Sequence, residues 1–595
     1  MAGVKTSESL LGDFRTDARM LLLVALALPV GIISALVAKA LLWLIGEITN
    51  VVFFQRFGAT LPPLEQHHLG AWVILAPALG ALVIGLMARY GSEKIRGHGI
   101  PEALEAILLG GSLIQPKVAV LKPISSAISI GTGGPFGAEG PIIMTGGAIG
   151  SLLAQLVHLT AAERKTLLVA GAAGGMAAVF ASPIAATLLA VELLLFEWRP
   201  RSFIPVVTAS LVAYLLRIPL LGSGPIFPVA PHAALGFWSM AAACGIGLAA
   251  GFGSALLTAV VYFFEDAFHK LPIHWMWWPP IGGLFVGLGG FIDPRVLGVG
   301  YELIQSLLNG HILGAALLGL VVGKALVWAI ALGSGTSGGV LAPLLILGGA
   351  LGAFIGQALP VGDVGLWAMI GMAAMMAGTM RSPLTGMFFL LELTHDLNAL
   401  PALLCGSVAA LAVTVLILKR SILTEKLARR GQHIAREYSV DLFELMRVAD
   451  VMDRDVPLIP ANTPLPRYSA RIASGDPLVS GRQGTLLGDA DGNLVGIITR
   501  GDVVRCFDRS RDDTLTVAEA GSSNLVVAYP DETLHDAMSK MLTHDIGRLP
   551  VVSRTDERLV VGYLGRSSIL KARQRYHREE GVRARGFRAN DGDAG

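Results

Sequence analysis

The stretch Gly131-Thr-Gly-Gly-Pro-Phe-Gly-Ala-Glu-Gly-Pro141 decides how this chain folds. Five glycines and two prolines in eleven residues cannot wind as a spanning helix. Pro141 suits the first turn of a helix, where its missing N–H costs nothing, so the glycine loop ends at a helix N-terminus. Loose backbone N–H groups and the positive end of the helix dipole make such a place attractive to anions. Gly338-Gly339-Val340-Leu341-Ala342-Pro343 has the same form, and Gly97-His98-Gly99-Ile100-Pro101 is a third case. Three such N-termini point to convergence on a small anion. The alternative is that the glycines serve only close helix packing.

Around this stretch the chain is strongly apolar. Of 595 residues, 53% are hydrophobic and 15% charged, with 72 glycines and a mean hydropathy of +0.63. A soluble chain carries about 25% charged residues. This excludes an ordinary cytosolic enzyme, a disordered chain and a disulfide scaffold. The charge is also uneven: 27 of the 46 Lys+Arg and 25 of the 44 Asp+Glu lie in the last 177 residues, from Lys419 on. A long apolar body therefore precedes a soluble tail. The net charge of +2 gives no reason to expect nucleic acid. Cys244, Cys405 and Cys506 show neither metal spacing nor a disulfide framework. The apolar run Met20 to Ile45 is too long for a signal peptide and reads as a spanning helix.

Apolar helical segments are predicted near 20–50, 70–90, 117–130, 141–157, 164–195, 203–221, 235–268, 277–291, 313–333, 342–358, 364–379 and 382–417. A spanning helix needs about 20 apolar residues. Several of these are shorter or broken by Gly and Pro, which is tolerated in a bilayer only where the freed backbone faces protein or a water-filled cavity. Lys5, Arg15 and Arg19 precede the first helix, and Lys419, Arg420, Lys426, Arg429 and Arg430 follow the last, which places both termini in the cytoplasm. The body is duplicated. Gly131 to Pro141 aligns with Gly333 to Pro343 at an offset of 202, which also carries Lys122 onto Lys324 and Gly146 to Gly150 onto Gly348 to Gly352. Further on the offset is 200, matching Ser182-Pro183 to Glu192-Leu193 with Ser382-Pro383 to Glu392-Leu393. If an odd number of spans separates the copies, they are inverted.

A carboxylate within a membrane is a functional hypothesis by default. Glu139 lies in the loop itself, and its repeat counterpart is Leu341, so duplication did not require it. At a site built for anions it would occupy the site, leave when protonated or displaced, and so act as a gate and a proton carrier; the plainer reading is a carboxylate stabilising a helix dipole. Glu192 and Glu392 are repeat equivalents, which favours a structural role such as tying to backbone N–H groups. Lys122 and Lys324 are likewise paired, either structurally or to raise the local anion potential.

In order, Gly-x-Gly-Ile-Pro, Gly-x-Glu-Gly-Pro and Gly-x-x-x-Pro make residues 15–435 resemble the CLC family of chloride channels and chloride/proton antiporters. The resemblance implies an α-helical polytopic fold of antiparallel halves, about 70–220 and 275–430, within a membrane domain over 19–435. It implies a homodimer with a separate anion pathway in each subunit, Glu139 as the external gate, and backbone anion coordination near Gly99-Ile100 and Val340-Leu341. His98 stands where the family often has Ser, and Leu423 where it often has a Tyr that closes the inner end of the pathway. Both count as anion-site positions that have lost a hydroxyl. A ring N–H of His98 could replace one donor and bring pH dependence; the alternative is a neutral ring facing the cytoplasmic vestibule. Leu193 replaces the internal proton glutamate of the antiporters, leaving Glu192 one residue away as the remaining proton-pathway candidate beside Glu139. The Glu-Gly-Pro ending argues against the fluoride-exporting branch.

After Arg430, short β runs alternate with short helices in two units, 447–508 and 516–577, followed by a polar tail at 578–595. These resemble a CBS pair, an α/β module. Thr499 and Asp502 match the family's ribose-binding spacing, so an adenine nucleotide (ATP, ADP or AMP) is the expected ligand; Gly565 and Ser568 stand at the matching second position. A Thr-x-x-Asp is equally a helix cap. The sequence thus predicts a chloride conduit in the inner membrane of a bacterium, not an enzyme, with no required cofactor and no metal site. A voltage- or pH-gated channel is favoured by Leu193 and Leu423, with a chloride/proton antiporter as the alternative. A CBS-regulated divalent-cation transporter would need several membrane carboxylates converging on a pore.

Overall fold

The computed structural model describes residues 19–108, 110–233, 235–429, 443, 446–509 and 514–571. Expectations placed on residues 1–18, on Arg430 and on the tail 578–595 lie outside them. The chain divides into two compact units, Met1–Arg436 and Glu437–Gly595.

The first unit is helical. Six helices among the described residues are long and apolar enough to cross a membrane: Arg19–Phe54, Gly70–Tyr90, Pro200–Leu221, Phe237–His269, Ala315–Gly333 and Leu397–Arg429, the last with a break near Leu418. Shorter apolar helices lie among them, including Glu139–Gln155, Leu341–Gly356 and Val364–Met380. Two predicted segments prove to be helix pairs. The segment 164–195 breaks at Ala181-Ser182, and 382–417 breaks at His395. Ala181 and Arg381 both take left-handed backbone (φ +55° and +59°), and the proline two residues on restarts the helix at its first turn. Phe196 and His395 close these second helices with the same left-handed turn. The first copy is one residue longer between Glu192 and that turn, and its last six residues, Ala190–Leu195, wind as a π-helix that takes up the extra residue.

Glycine contacts settle the parity of the repeat. Gly70–Tyr90 and Trp278–Ile292 are repeat equivalents, and they pack side by side in opposite directions: Gly85 lies against Met276, Gly283 against Pro77 and Ala78, and Gly287 against Ile74. A Cβ on Gly283 would stand 2.7 Å from the Pro77 carbonyl, so the approach demands glycine. The halves are inverted. Reciprocal contacts across them follow from that two-fold relation. Glu392 accepts from the amides of Ile184 (2.9 Å) and Ala185 (2.8 Å). Glu192 accepts from the amides of Leu384 (3.2 Å) and Thr385 (2.9 Å) and from the Thr385 hydroxyl (2.6 Å). Each half caps a helix of the other.

The second unit holds two small α/β subunits. Leu458–Pro460 pairs parallel with Gly484–Gly488, which pairs antiparallel with Leu494–Thr499. Arg548–Val552 and Val560–Gly565 repeat the antiparallel pair, and Ala528 bridges Val551 in parallel where the first subunit has its opening strand. The connecting segments are exchanged. Val448 is buried among Leu534, Leu549 and Leu564 of the second subunit, whereas Val517 is buried among Ile459, Leu465 and Ile498 of the first.

Hydrogen bonds to a charged acceptor are worth about 1.5–3 kcal/mol, and an orphaned buried amide is costly. Glu392→Ala is expected to lower the melting temperature of the detergent-solubilised protein by several degrees, and Glu392→Gln, which keeps one acceptor oxygen, by less. Differential scanning fluorimetry checks the order; unchanged melting in both variants would contradict the capping role.

Candidate functional site

The loops before three helices are hydrogen-bonded to one another. Gly137 N–H donates to Gly339 O (3.2 Å), and Gly339 N–H returns a bond to Gly137 O (2.8 Å). Gly338 N–H reaches Gly97 O (3.4 Å), and Gly97 bridges Ser337 in parallel. The N-termini at Ile100, Glu139 and Leu341 therefore meet in one place. Gly97 and Gly99 have φ of +81° and +90°, and a Cβ on Gly99 would stand 2.7 Å from Gly140 O. A fourth N-terminus, missed in the sequence, opens at Gly300 (φ +75°) before the helix Tyr301–Leu308. Gly298-Val299-Gly300-Tyr301 is the repeat partner of Gly97 to Ile100, and Gly298 N–H donates to Gly133 O (3.0 Å).

Buried lysines fix these loops. Lys122 Nζ donates to Ile95 O (2.8 Å), Gly97 O (2.7 Å) and Ser337 Oγ (3.1 Å), joining loops from both halves. Lys324 does the same for Val296 O (2.9 Å) and Gly298 O (3.1 Å). Both are fully buried with their charge spread over carbonyls, which is the structural pairing considered for them.

Glu139 is fully buried, and neither carboxylate oxygen has a hydrogen-bond partner among the described residues. Its nearest electrostatic partners are its own N–H and that of Ala342, two residues past Val340 and directly after Leu341. The carboxylate thus lies where helix N-termini from both halves face, the position that suits an anion.

Two cavities are lined by the segments that precede and follow Gly70–Tyr90 in the chain. One, of about 740 Å³, is lined by Arg96, Gly97, His98, Tyr262, Lys426 and Arg429 among others. The other, of about 80 Å³, is lined by Leu61 to Glu65, by Pro294 and Arg295, and by Leu297 to Leu303. His98 is 3% exposed, lines the larger cavity, and its buried Nδ1 has no partner among the described residues. Leu423 is fully buried one residue after Ile422, whose carbonyl accepts from the Tyr262 hydroxyl (2.6 Å). A tyrosine hydroxyl does stand near this end of the path, but it comes from the helix Phe237–His269 and is committed to backbone.

Two of the expected site residues have partners within the protein. Gly99 N–H donates to Glu102 Oε2 (3.0 Å), and Glu102 Oε1 is held by Lys426 Nζ (2.7 Å), so the Gly99 amide is engaged within the protein. Glu102 was hidden in the sequence because an acidic residue in a first helical turn looks like an ordinary cap. Glu192, the proton-pathway candidate, is taken up by the three donors at Leu384 and Thr385, and Leu193 beside it is fully buried.

In the second unit, Thr499 N–H and Oγ1 donate to Asp502 Oδ2 (2.8 and 2.7 Å), Asp502 N–H donates to Thr499 Oγ1 (3.2 Å), and Arg505 holds Oδ1. This is a reciprocal cap, as at Thr160/Glu163 and Thr516/Glu519. Ser568 is buried at the second position. Among the described residues no group of three or more His, Cys, Asp or Glu has metal-holding geometry.

Comparison with known proteins agrees with this architecture. Residues 79–415 match the family described as voltage gated chloride channel, and residues 517–575 match the CBS domain. The voltage-gated ClC-type chloride channel ClcB of Salmonella typhimurium is 30% identical over 397 residues, covering 65% of this chain and 94% of that protein. The crystal structure of a slow cyanobacterial Cl−/H+ antiporter superposes with a TM-score of 0.61 at 21% identity, covering 70% of this chain and 99% of that one. A eukaryotic CLC transporter superposes at 0.58 and 17% identity, covering 93% and 99%. The inverted repeat, the shared N-termini and the matched span together make the chain a member of the CLC family of chloride-transporting membrane proteins, with a C-terminal CBS region.

Proposed function

We propose that the protein is a chloride channel gated by Glu139, acting as a homodimer with one pathway in each subunit. It sits in the inner membrane of a bacterium with both termini cytoplasmic, so the larger cavity is the inner mouth and the smaller the outer one. It performs no covalent chemistry. The observation that carries the reading is the enclosed carboxylate of Glu139, with no side-chain partner among the described residues, at the meeting of helix N-termini. Chloride enters only when that carboxylate leaves, by protonation or by rotation. His98, whose buried Nδ1 has no partner among the described residues, is a side chain at the inner mouth that can donate to an anion. Passive conduction is favoured over proton exchange because Leu193 is apolar and buried and Glu192 is spent on capping.

Glu139→Gln is expected to give constitutive flux that no longer responds to external pH, read as chloride efflux from proteoliposomes; retention of the full pH response would remove Glu139 as the gate. For the wild type, the reversal potential under crossed chloride and pH gradients should follow chloride alone. A shift with pH, or uphill proton uptake driven by chloride, would make the protein an antiporter.

A nucleotide role for the CBS pair is supported by Asp502 at a strand-to-helix turn. A ribose would have to take over the carboxylate from Thr499 and Arg505. If it does, Asp502→Ala weakens adenine-nucleotide binding by roughly ten- to a hundredfold, the equivalent of one charge-assisted hydrogen bond. Calorimetry on the full-length protein with ATP, ADP and AMP checks this; equal affinity in both proteins would leave Thr499–Asp502 as a helix cap.

A further inference from the structure

The fourth N-terminus presents Tyr301 at its start. The ring packs edge-on against Phe227, with centroids 5.9 Å apart, and lines the outer cavity together with Val299 and Gly300. Its hydroxyl oxygen is buried and has no hydrogen-bond partner among the described residues. Its loop is tied to the glycine loop that leads to Glu139 by the bond from Gly298 N–H to Gly133 O (3.0 Å), and the Glu139 carboxylate is the charge that acts on the hydroxyl. A buried donor without an acceptor thus lies within the field of a buried carboxylate to which no side chain is bonded among the described residues. Each carries a desolvation cost that a bond between them would relieve. The repeat partner of Tyr301 is Ile100, so the two-fold relation of the halves did not call for a hydroxyl here.

We propose that Tyr301 is the outer positioning residue of the gate: its hydroxyl receives the Glu139 carboxylate when that side chain swings outward, and holds the pathway open with the carboxylate still charged. This rests on Glu139 being the gate. The other ionisable groups around Tyr301 are already placed. Glu302 follows on its own helix, Glu65 and Arg295 line the outer cavity, and Arg295 is tied to Asp293 (2.8 Å). Lys324 sits beneath the loop on the carbonyls of Val296 and Gly298. The gate then opens in two ways. Protonation of Glu139 dominates in acid; docking on Tyr301 sustains flux at neutral and alkaline external pH.

Tyr301→Phe removes the second way while keeping the ring against Phe227. The test is chloride efflux from proteoliposomes at external pH of about 7.5 and about 4.5, for wild type, Tyr301→Phe, Glu139→Gln and the double variant. The ratio of flux at the higher pH to that at the lower should fall roughly tenfold on Tyr301→Phe in the wild-type background, the loss of one hydrogen bond to a charged group. It should not change on the Glu139→Gln background. An unchanged ratio in the wild-type background overturns the proposal. So does an equal change in both backgrounds, which would assign the hydroxyl to the passing anion or to the cavity wall. Glu139→Gln by itself reports on the gate: if that variant keeps the wild-type pH response, the gate reading fails whatever Tyr301 does.

Discussion

The pair of hydrogen bonds exchanged between Gly137 and Gly339 sets the geometry of the membrane unit. Backbone at mid-depth in a bilayer must find partners within the protein. Here two glycine loops, one from each half, satisfy each other and leave the helix N-termini that follow them pointing at a common space. The donors that remain unused are those of the first helical turns, and these suit a small anion. Large side chains at the crossing would push the loops apart: a Cβ on Gly339 would stand 2.5 Å from both Gly137 O and Glu139 Oε2.

The charged residues of the apolar body divide by what they do to this arrangement. Lys122 and Lys324 hold the loops by their carbonyls, and Glu192 and Glu392 hold helix starts by their amides. In each case a buried charge is neutralised by backbone dipoles of the same kind in both halves. Glu139 breaks that rule. Its repeat counterpart, Leu341, is apolar, and among the described residues no side chain is bonded to its carboxylate, which has only the backbone N–H groups of Glu139 and Ala342 set against it. The charges that tie the halves together find several donors or acceptors; the one proposed as the gate finds no side-chain partner among the described residues.

Much of this was legible in the sequence because glycine and proline report backbone directly. The loops, the helix starts, the duplication and Glu139 all follow from residues whose conformational demands are local. What could not be read were consequences of two segments meeting. The apolar run 164–195 looked continuous because Ser182-Pro183 restarts a helix without changing the hydrophobic pattern, and 382–417 because the turn at His395 to Asn398 is only a few residues long. Glu102 and Lys426, 324 positions apart, find each other only once the last helix folds back beneath the first glycine loop. Tyr301 escaped notice because Gly298-Val299-Gly300-Tyr301 lacks the proline that flags its counterpart. In the CBS region the exchange of Val448 and Val517 between subunits has no sequence mark, since a short apolar helix packs equally well into either core.

The central claim is that the Glu139 carboxylate occupies a site that otherwise holds an anion. Anomalous scattering from bromide-soaked crystals tests it most directly, comparing wild type with Glu139→Gln. The account predicts a bromide peak in the variant, beside the amides of residue 139 and Ala342 where the wild-type carboxylate lies, and none there in the wild type at neutral pH. Equal bromide occupancy of that position in both proteins, or no peak in the variant, would contradict it.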